Sequence, residues 1–182
     1  MYFKVVLLFC LTIHAVSVAG QKKSRPLAII FDSDMGPDYD DVGAIAMLHA
    51  FADSGYIKIL ATVASTKYEG VAAVFNVFNT YFKRSETLIA VPKGKAVELK
   101  DQQHWTDTLL SKYPHRIQKN DEVPDAVDLY RKVLAAQPNK TVTIVTTGFL
   151  TNLSVLLQST PDQYSKLNGK ELVKQKVKQL VC

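Results

Sequence analysis

The chain has 182 residues, enough for one domain with a short extension. Hydrophobic residues make up 47% and charged residues 21%, which excludes a disordered or low-complexity chain; eight glycines and seven prolines exclude a collagen-like one. The net charge of +5 is modest and spread along the chain, so it does not indicate a nucleic-acid partner, and two cysteines cannot build a disulfide scaffold.

Residues 1–20 read as a secretory signal. Lys4 supplies a basic start, Val5 to Ala19 an apolar run, and Ser17, Ala19 and Gly20 the small residues of a cleavage site. The run is short of the roughly 20 residues that a membrane span needs, and nothing later is long enough to span. The expectation is a secreted protein with no membrane partner. Cleavage would remove Cys10 and leave Cys182 as the lone thiol. Asn139-Lys140-Thr141 and Asn152-Leu153-Ser154 both fit glycosylation acceptors; the second is expected to be buried near a site.

Gln21 to Pro26 is a polar linker, and 27–182 the folded part. Leu27 to Phe31 is a continuous apolar run, as in a strand covered on both faces. A helix is predicted over Val42–Asp53, with Asp40 or Asp41 near its start and Gly55 beyond its end. Ile57–Val63 is the second strand. Val71, Val74, Phe75, Phe78 and Phe82 fall at helical spacing within Gly70–Phe82, and this aromatic stripe is read as core. Leu88–Val91 is the third strand.

Lys95–Pro124 has weak periodicity and reads as a long loop with one short helix. Asp125–Gln137 is a helix bounded by prolines, Thr141–Thr146 the fourth strand, and Leu150–Gln158 a further helix. The lysine-rich Lys166–Lys178 suits a solvated helix face, and Val177–Cys182 a fifth strand. Alternation of strands and helices predicts an α/β fold with a mainly parallel, doubly wound sheet, whose ligands bind beyond the carboxyl ends of the strands.

Directly after the first strand, Asp32-Ser33-Asp34-Met35-Gly36-Pro37-Asp38-Tyr39-Asp40-Asp41 places five carboxylates in ten residues, with no lysine or arginine among them. Such charges repel strongly where the dielectric is low. Hard oxygen donors in this number favour Ca²⁺ or Mg²⁺. An EF-hand is excluded, because counting from Asp32 puts Pro37 where its glycine belongs and Gly43 where its glutamate belongs. Two chemistries suit the turn. Asp32 could be a nucleophile and Asp34 a general acid beside Mg²⁺, as in haloacid-dehalogenase-like phosphatases. Alternatively, the carboxylates hold a cation and a water that one of them deprotonates; the extra Asp38, Asp40 and Asp41 favour this second chemistry.

The turn resembles the signature of the inosine/uridine-preferring nucleoside hydrolases, Asp-x-Asp-Pro-Gly-x-Asp-Asp, with two additional residues and Met35 in place of proline. Thr146-Thr147-Gly148-Phe149-Leu150-Thr151-Asn152 resembles the family's Pro-Thr-Gly-Gly-Leu-Thr-Asn after a strand. The resemblance covers about Leu27 to Cys182, the first half of the family domain, and implies a Ca²⁺-dependent N-ribohydrolase acting on purine or pyrimidine ribonucleosides. It makes Asp34 the general base and a Ca²⁺ ligand, with Asp41 and the carbonyl of Thr147 as further ligands. It places Asp40 and Asn152 at the substrate and gives Asp32 a supporting part. Where the family carries a ribose-binding asparagine, this chain has Val63-Ala64-Ser65-Thr66-Lys67-Tyr68, with Thr66 or Lys67 near that place.

The chain stops inside an apparent strand, and the family's remaining ligand Asp and a His lie in the second half. The expectation is therefore a truncated domain of doubtful activity; were the short chain the whole protein, its open sheet would have to be completed by self-association or a partner. A non-catalytic cation- or nucleoside-binding half-domain is the alternative. His104-Trp105 is read as a surface loop anchored by Trp105, with a substrate lid as the alternative. Lys67 is read as a surface lysine or a charge partner of the Asp turn, with a substrate contact as the alternative. His49 is read as a satisfied residue at the edge of the first helix, and Ser33 and Ser65 lack an activated-nucleophile motif.

Overall fold

A computed structural model describes residues 25–182; the signal-peptide reading and Cys10 lie outside them. Five strands form one all-parallel sheet: β1 (Leu27–Ser33), β2 (Ile57–Ala64), β3 (Leu88–Ala90), β4 (Val142–Thr146) and β5 (Val177–Val181), in the spatial order β3-β2-β1-β4-β5. Helices α1 (Asp40–Asp53), α2 (Val71–Tyr81), α3 (Trp105–Lys112), α4 (Ala126–Ala135), α5 (Thr151–Gln158) and α6 (Gly169–Lys176) supply the connections. No described helix is long and apolar enough to cross a membrane.

The apolar strands are continuous because both sheet faces are covered. Ile30, Val63 and Ile144 pack under α4, α5 and α6 with Leu129, Leu134, Leu156 and Leu172. Phe31, Ala64 and Ile89 pack against α1 and α2 with Ile45, Val74 and Phe75, and α3 joins that face through Leu109 and Leu110. The α2 aromatic stripe is core, as expected. The sheet is doubly wound, and β5 leaves Leu180 and Val181 exposed at its edge.

Several boundaries differ from expectation. β1 runs two residues further, to Ser33, because Asp32 and Ser33 pair with β2 and Asp32 also with Thr146 of β4. The predicted loop holds α3 and a 3₁₀ turn at Asn120–Glu122. Asp101 starts α3 by accepting from the Thr106 amide at 3.1 Å and from its hydroxyl, a cap set five residues ahead and hence hard to see in sequence. Arg131, buried on α4, holds the segment before α6 through Asp162, Ser159, and the carbonyls of Ser165 and Leu167.

His49 corrects an expectation. It is fully buried and stacked on Phe82 with ring centroids 4.5 Å apart, and neither ring nitrogen has a well-formed hydrogen bond within the protein. Burial, helped by the Arg84 charge, pushes its pKa down to about 4, against smaller opposing effects of Asn79 and Asp53. A depressed folded pKa means that the unfolded chain binds more protons at this residue between pH 6.5 and pH 4. Stability is thus expected to fall as pH drops through that window, by up to roughly 3 kcal/mol. Denaturant midpoints at pH 7 and pH 4.5 check this: the His49→Gln variant should lose part of the difference, and an unchanged difference would count against it.

Candidate metal centre and active site

The order β2-β1-β4 makes the carboxyl end of β1 a topological switch point, since the chain winds one way from β1 to β2 and the other way to β4. The Asp-rich turn leaves β1 there, and the Thr147 turn leaves β4 beside it. Their relative position follows from register: Asp32 pairs with Thr146, and the Thr147 amide donates to the Asp32 carbonyl at 3.0 Å. Two motifs separated by more than a hundred residues therefore meet as a consequence of parallel pairing.

The Asp turn then folds back on itself. The Met35 amide donates to the Ser33 hydroxyl at 3.1 Å, and the Tyr68 hydroxyl donates to the Met35 carbonyl at 2.7 Å. The Trp105 indole donates to the Gly36 carbonyl at 2.9 Å. Trp105 thus anchors its loop on the turn, as read from sequence, and its ring lies 5.8 Å from that of Tyr39. Asp40 and Asp41 open α1, where the helix dipole favours negative charge.

The five aspartates occupy different environments. Asp32 is wholly buried; its Oδ2 accepts from the Tyr130 hydroxyl at 2.8 Å and from the Asn152 amide at 3.1 Å. Burial raises its pKa to about 7 against the lowering effects of Asn152, Tyr130 and Ser65. Asp41 is also buried and accepts from the Thr147 hydroxyl. Burial raises it to about 6, with Thr147 and Ser33 opposing. Asp34 is half-buried, raised by burial and by the charge of Asp40, and in hydrogen-bonding reach of Asp41. Asp38 and Asp40 are exposed; their mutual hydrogen bond raises Asp38.

The arrangement fits a hard divalent cation. Asp38, Asp40 and Asp41 bring carboxylate oxygens within 4.8 Å of one another; of the ligands expected from sequence this group contains Asp41 and not Asp34. Among the described residues, no cationic side chain forms an ion pair with any aspartate of the turn. The upward shifts of Asp34 and Asp41 come from desolvation and neighbouring negative charge that hydrogen bonds only partly oppose, and a cation would offset them.

Other expected residues land differently. Asn152 is 2% exposed, and its amide donates to Asp32 and, at 2.7 Å, to the Ala64 carbonyl, so it braces the buried acid. The same burial matches the expectation for the second glycosylation acceptor, whereas Asn139 is exposed. Lys67 is no charge partner of the turn; its ammonium donates to the Gly94 carbonyl at 3.3 Å. Thr66 is tied to the Val97–Leu99 segment by its hydroxyl. Phosphatase chemistry through Asp32 does not fit, because a nucleophile must reach its substrate and Asp32 is enclosed. Tyr130 and the hydroxyl of Thr147 were not legible as site residues; a tyrosine on the buried face of an amphipathic helix looks like any core aromatic.

A family model described as inosine-uridine preferring nucleoside hydrolase matches residues 29–173. Among solved structures, the chain is similar to the type III effector protein XopQ complexed with adenosine diphosphate ribose, at 18% identity and TM-score 0.62, over 86% of this chain and 42% of that one. It is similar to the effector protein XOO4466 at 18% identity and TM-score 0.63, over 86% and 43%. It is similar to a plant nucleoside hydrolase, PpNRh1, at 21% identity and TM-score 0.58, over 85% and 46%. The chain thus spans less than half the length of these structures, and at such identities they show the fold alone. No curated protein matches it.

Proposed function

The chain belongs to the inosine-uridine preferring nucleoside hydrolase family, and from that premise we propose that its strand-end site hydrolyses the N-glycosidic bond of ribonucleosides, purine or pyrimidine, with Ca²⁺ as cofactor. The observation that carries the reading is the meeting of the Asp turn and the Thr147 turn at the β1–β4 switch point. Asp34, Asp41 and the Thr147 carbonyl would hold the ion, which when bound offsets their charge and makes a neighbouring water more acidic.

Asp34 takes the proton of the attacking water. Its carboxylate is half-buried at the strand end, in reach of a water held at the same ion. The water oxygen bonds to C1′ of the ribose while the C1′–N bond breaks, and the base leaves with that electron pair. Asp40, exposed at the head of α1, accepts hydrogen bonds from ribose hydroxyls and holds the sugar for attack. The carboxylates around it stabilise the cationic character that the sugar gains as the bond breaks. Asp32, clamped by Tyr130 and Asn152, anchors the turn from beneath. The ADP-ribose held by one structural neighbour supports a ribosyl ligand for this chain as well. The apolar run over residues 5–19 supports secretion, which would set the site to work on extracellular nucleosides.

The purified chain should release free base from inosine or uridine in Ca²⁺, stop in EDTA and resume when Ca²⁺ is restored; chromatography of the base reads it. Phosphate release from monoesters without free base would sink the proposal. Stabilisation by nucleoside without turnover would make the chain a binding protein instead.

A further inference from the structure

We propose that Ser65 is a positioning residue of this site: its hydroxyl holds the Thr147–Phe149 turn against the end of β1 and so sets the spacing between Asp34 and Thr147. The inference rests on the hydrolase reading and adds a residue to it.

Ser65 is the first residue past β2 and is fully buried. Its amide donates to the Ser33 carbonyl at 2.9 Å, extending the β2–β1 ladder to the root of the Asp turn. Its hydroxyl accepts from the Phe149 amide at 3.1 Å. It also lies against Gly148: a Cβ built on that glycine would fall 2.2 Å from Ser65 Oγ and 2.4 Å from the Asp34 amide nitrogen. One side chain therefore bonds the turn at Phe149 and lies close to Gly148, which in turn lies close to the Asp34 amide. The next residue, Thr66, sends its hydroxyl the other way, to Val97 and Leu99. Serine and threonine thus hold different segments, and only Ser65 holds the site.

Packing alone does not account for a hydroxyl here. A buried polar group is costly unless it is bonded, and alanine would fill nearly the same volume without that cost. What the hydroxyl adds is an acceptor for an amide that the β4 turn leaves without a strand partner. The turn then cannot drift from Asp34, and the proposed ligands from β1 and β4 keep one separation. Groups that orient metal ligands from behind typically matter 10- to 100-fold in affinity.

Calorimetric Ca²⁺ titration of the intact chain and of Ser65→Ala tests this, with melting temperatures in EDTA and nucleoside kinetics alongside. Ser65→Ala should bind Ca²⁺ roughly 10-fold or more weakly and lose kcat, with KM nearly unchanged and only the modest fall in melting temperature in EDTA that one lost hydrogen bond brings. Ser65→Cys, a somewhat larger side chain and a weaker acceptor, should follow it and serves if the alanine variant does not fold. Unchanged Ca²⁺ affinity in the variants, or a loss seen only as a lower melting temperature, would overturn the role of Ser65 and leave the hydrolase reading standing. An unaltered chain that binds no Ca²⁺ would overturn both.

Discussion

Asn in place of Asp34 is expected to lower kcat for base release by roughly 10²–10⁴-fold, the span typical of a lost general base, while the chain stays folded. The two halves of that expectation have separate causes. The rate falls because the amide cannot accept the water's proton, so saturating Ca²⁺ should not restore it. The fold persists because Asn matches Asp in shape where Gly148 packs against the residue: the glycine's Cβ position lies 2.9 Å from Asp34 Oδ1. Burial and the Asp40 charge already disfavour the ionised side chain. A neutral isostere should therefore raise the melting temperature of the cation-free protein. Ca²⁺ affinity should fall with the loss of a charged donor. Steady-state kinetics, thermal melts in EDTA and Ca²⁺ titration read the three effects. A variant within about threefold of the parent rate would remove Asp34 from the role of base, since that role carries 10²-fold or more.

How far the sequence reached is seen in what each part of the site depends on. Strands such as Leu27–Phe31 were visible because burial on both faces leaves an unbroken apolar run. The Asp turn was visible because clustered like charges have few structural uses. The meeting of that turn with Thr147 was expected only through the family resemblance; its physical cause is the pairing of Asp32 with Thr146, and register is not written in either segment alone. The extension of β1 to Ser33 was missed because aspartate is a poor strand residue and its burial depends on distant partners. Those partners, Tyr130 and Asn152, lie 98 and 120 residues away. Asn152 looked like a substrate contact because its motif said so, and the structure turns its amide inward. Ser65 looked inert because it sits in no nucleophile motif, although its hydroxyl bonds the turn that holds Gly148. Local pattern thus reached the elements and the charged residues, while the uncharged residues that align them emerge only from tertiary packing.

The same packing makes Gly148→Ala the substitution expected to cost stability and turnover together. The new methyl would stand 2.2 Å from Ser65 Oγ and 2.4 Å from the Asp34 backbone nitrogen, distances at which something must move. A flexible side chain cannot absorb the clash, because one of the atoms is main chain. Nor can the two turns part easily: β1 and β4 are locked by pairing up to Asp32 and Thr146, and the Thr147 amide is bonded to Asp32. The strain therefore falls on the joint between the two motifs. Overpacking of this kind costs about 1–3 kcal/mol, and a displacement of about 1 Å at reacting groups costs on the order of 10²-fold in rate. Gly43→Ala is the matched control. That glycine is exposed on α1 with nothing within 4 Å of its Cβ position, so alanine should stabilise the helix by roughly 0.5–1 kcal/mol and leave turnover alone. The contrast separates geometry from glycine content. If Gly148→Ala melted like the parent and kept its rate, the two turns would not be in contact in solution, and the site assembled from them would have to be abandoned.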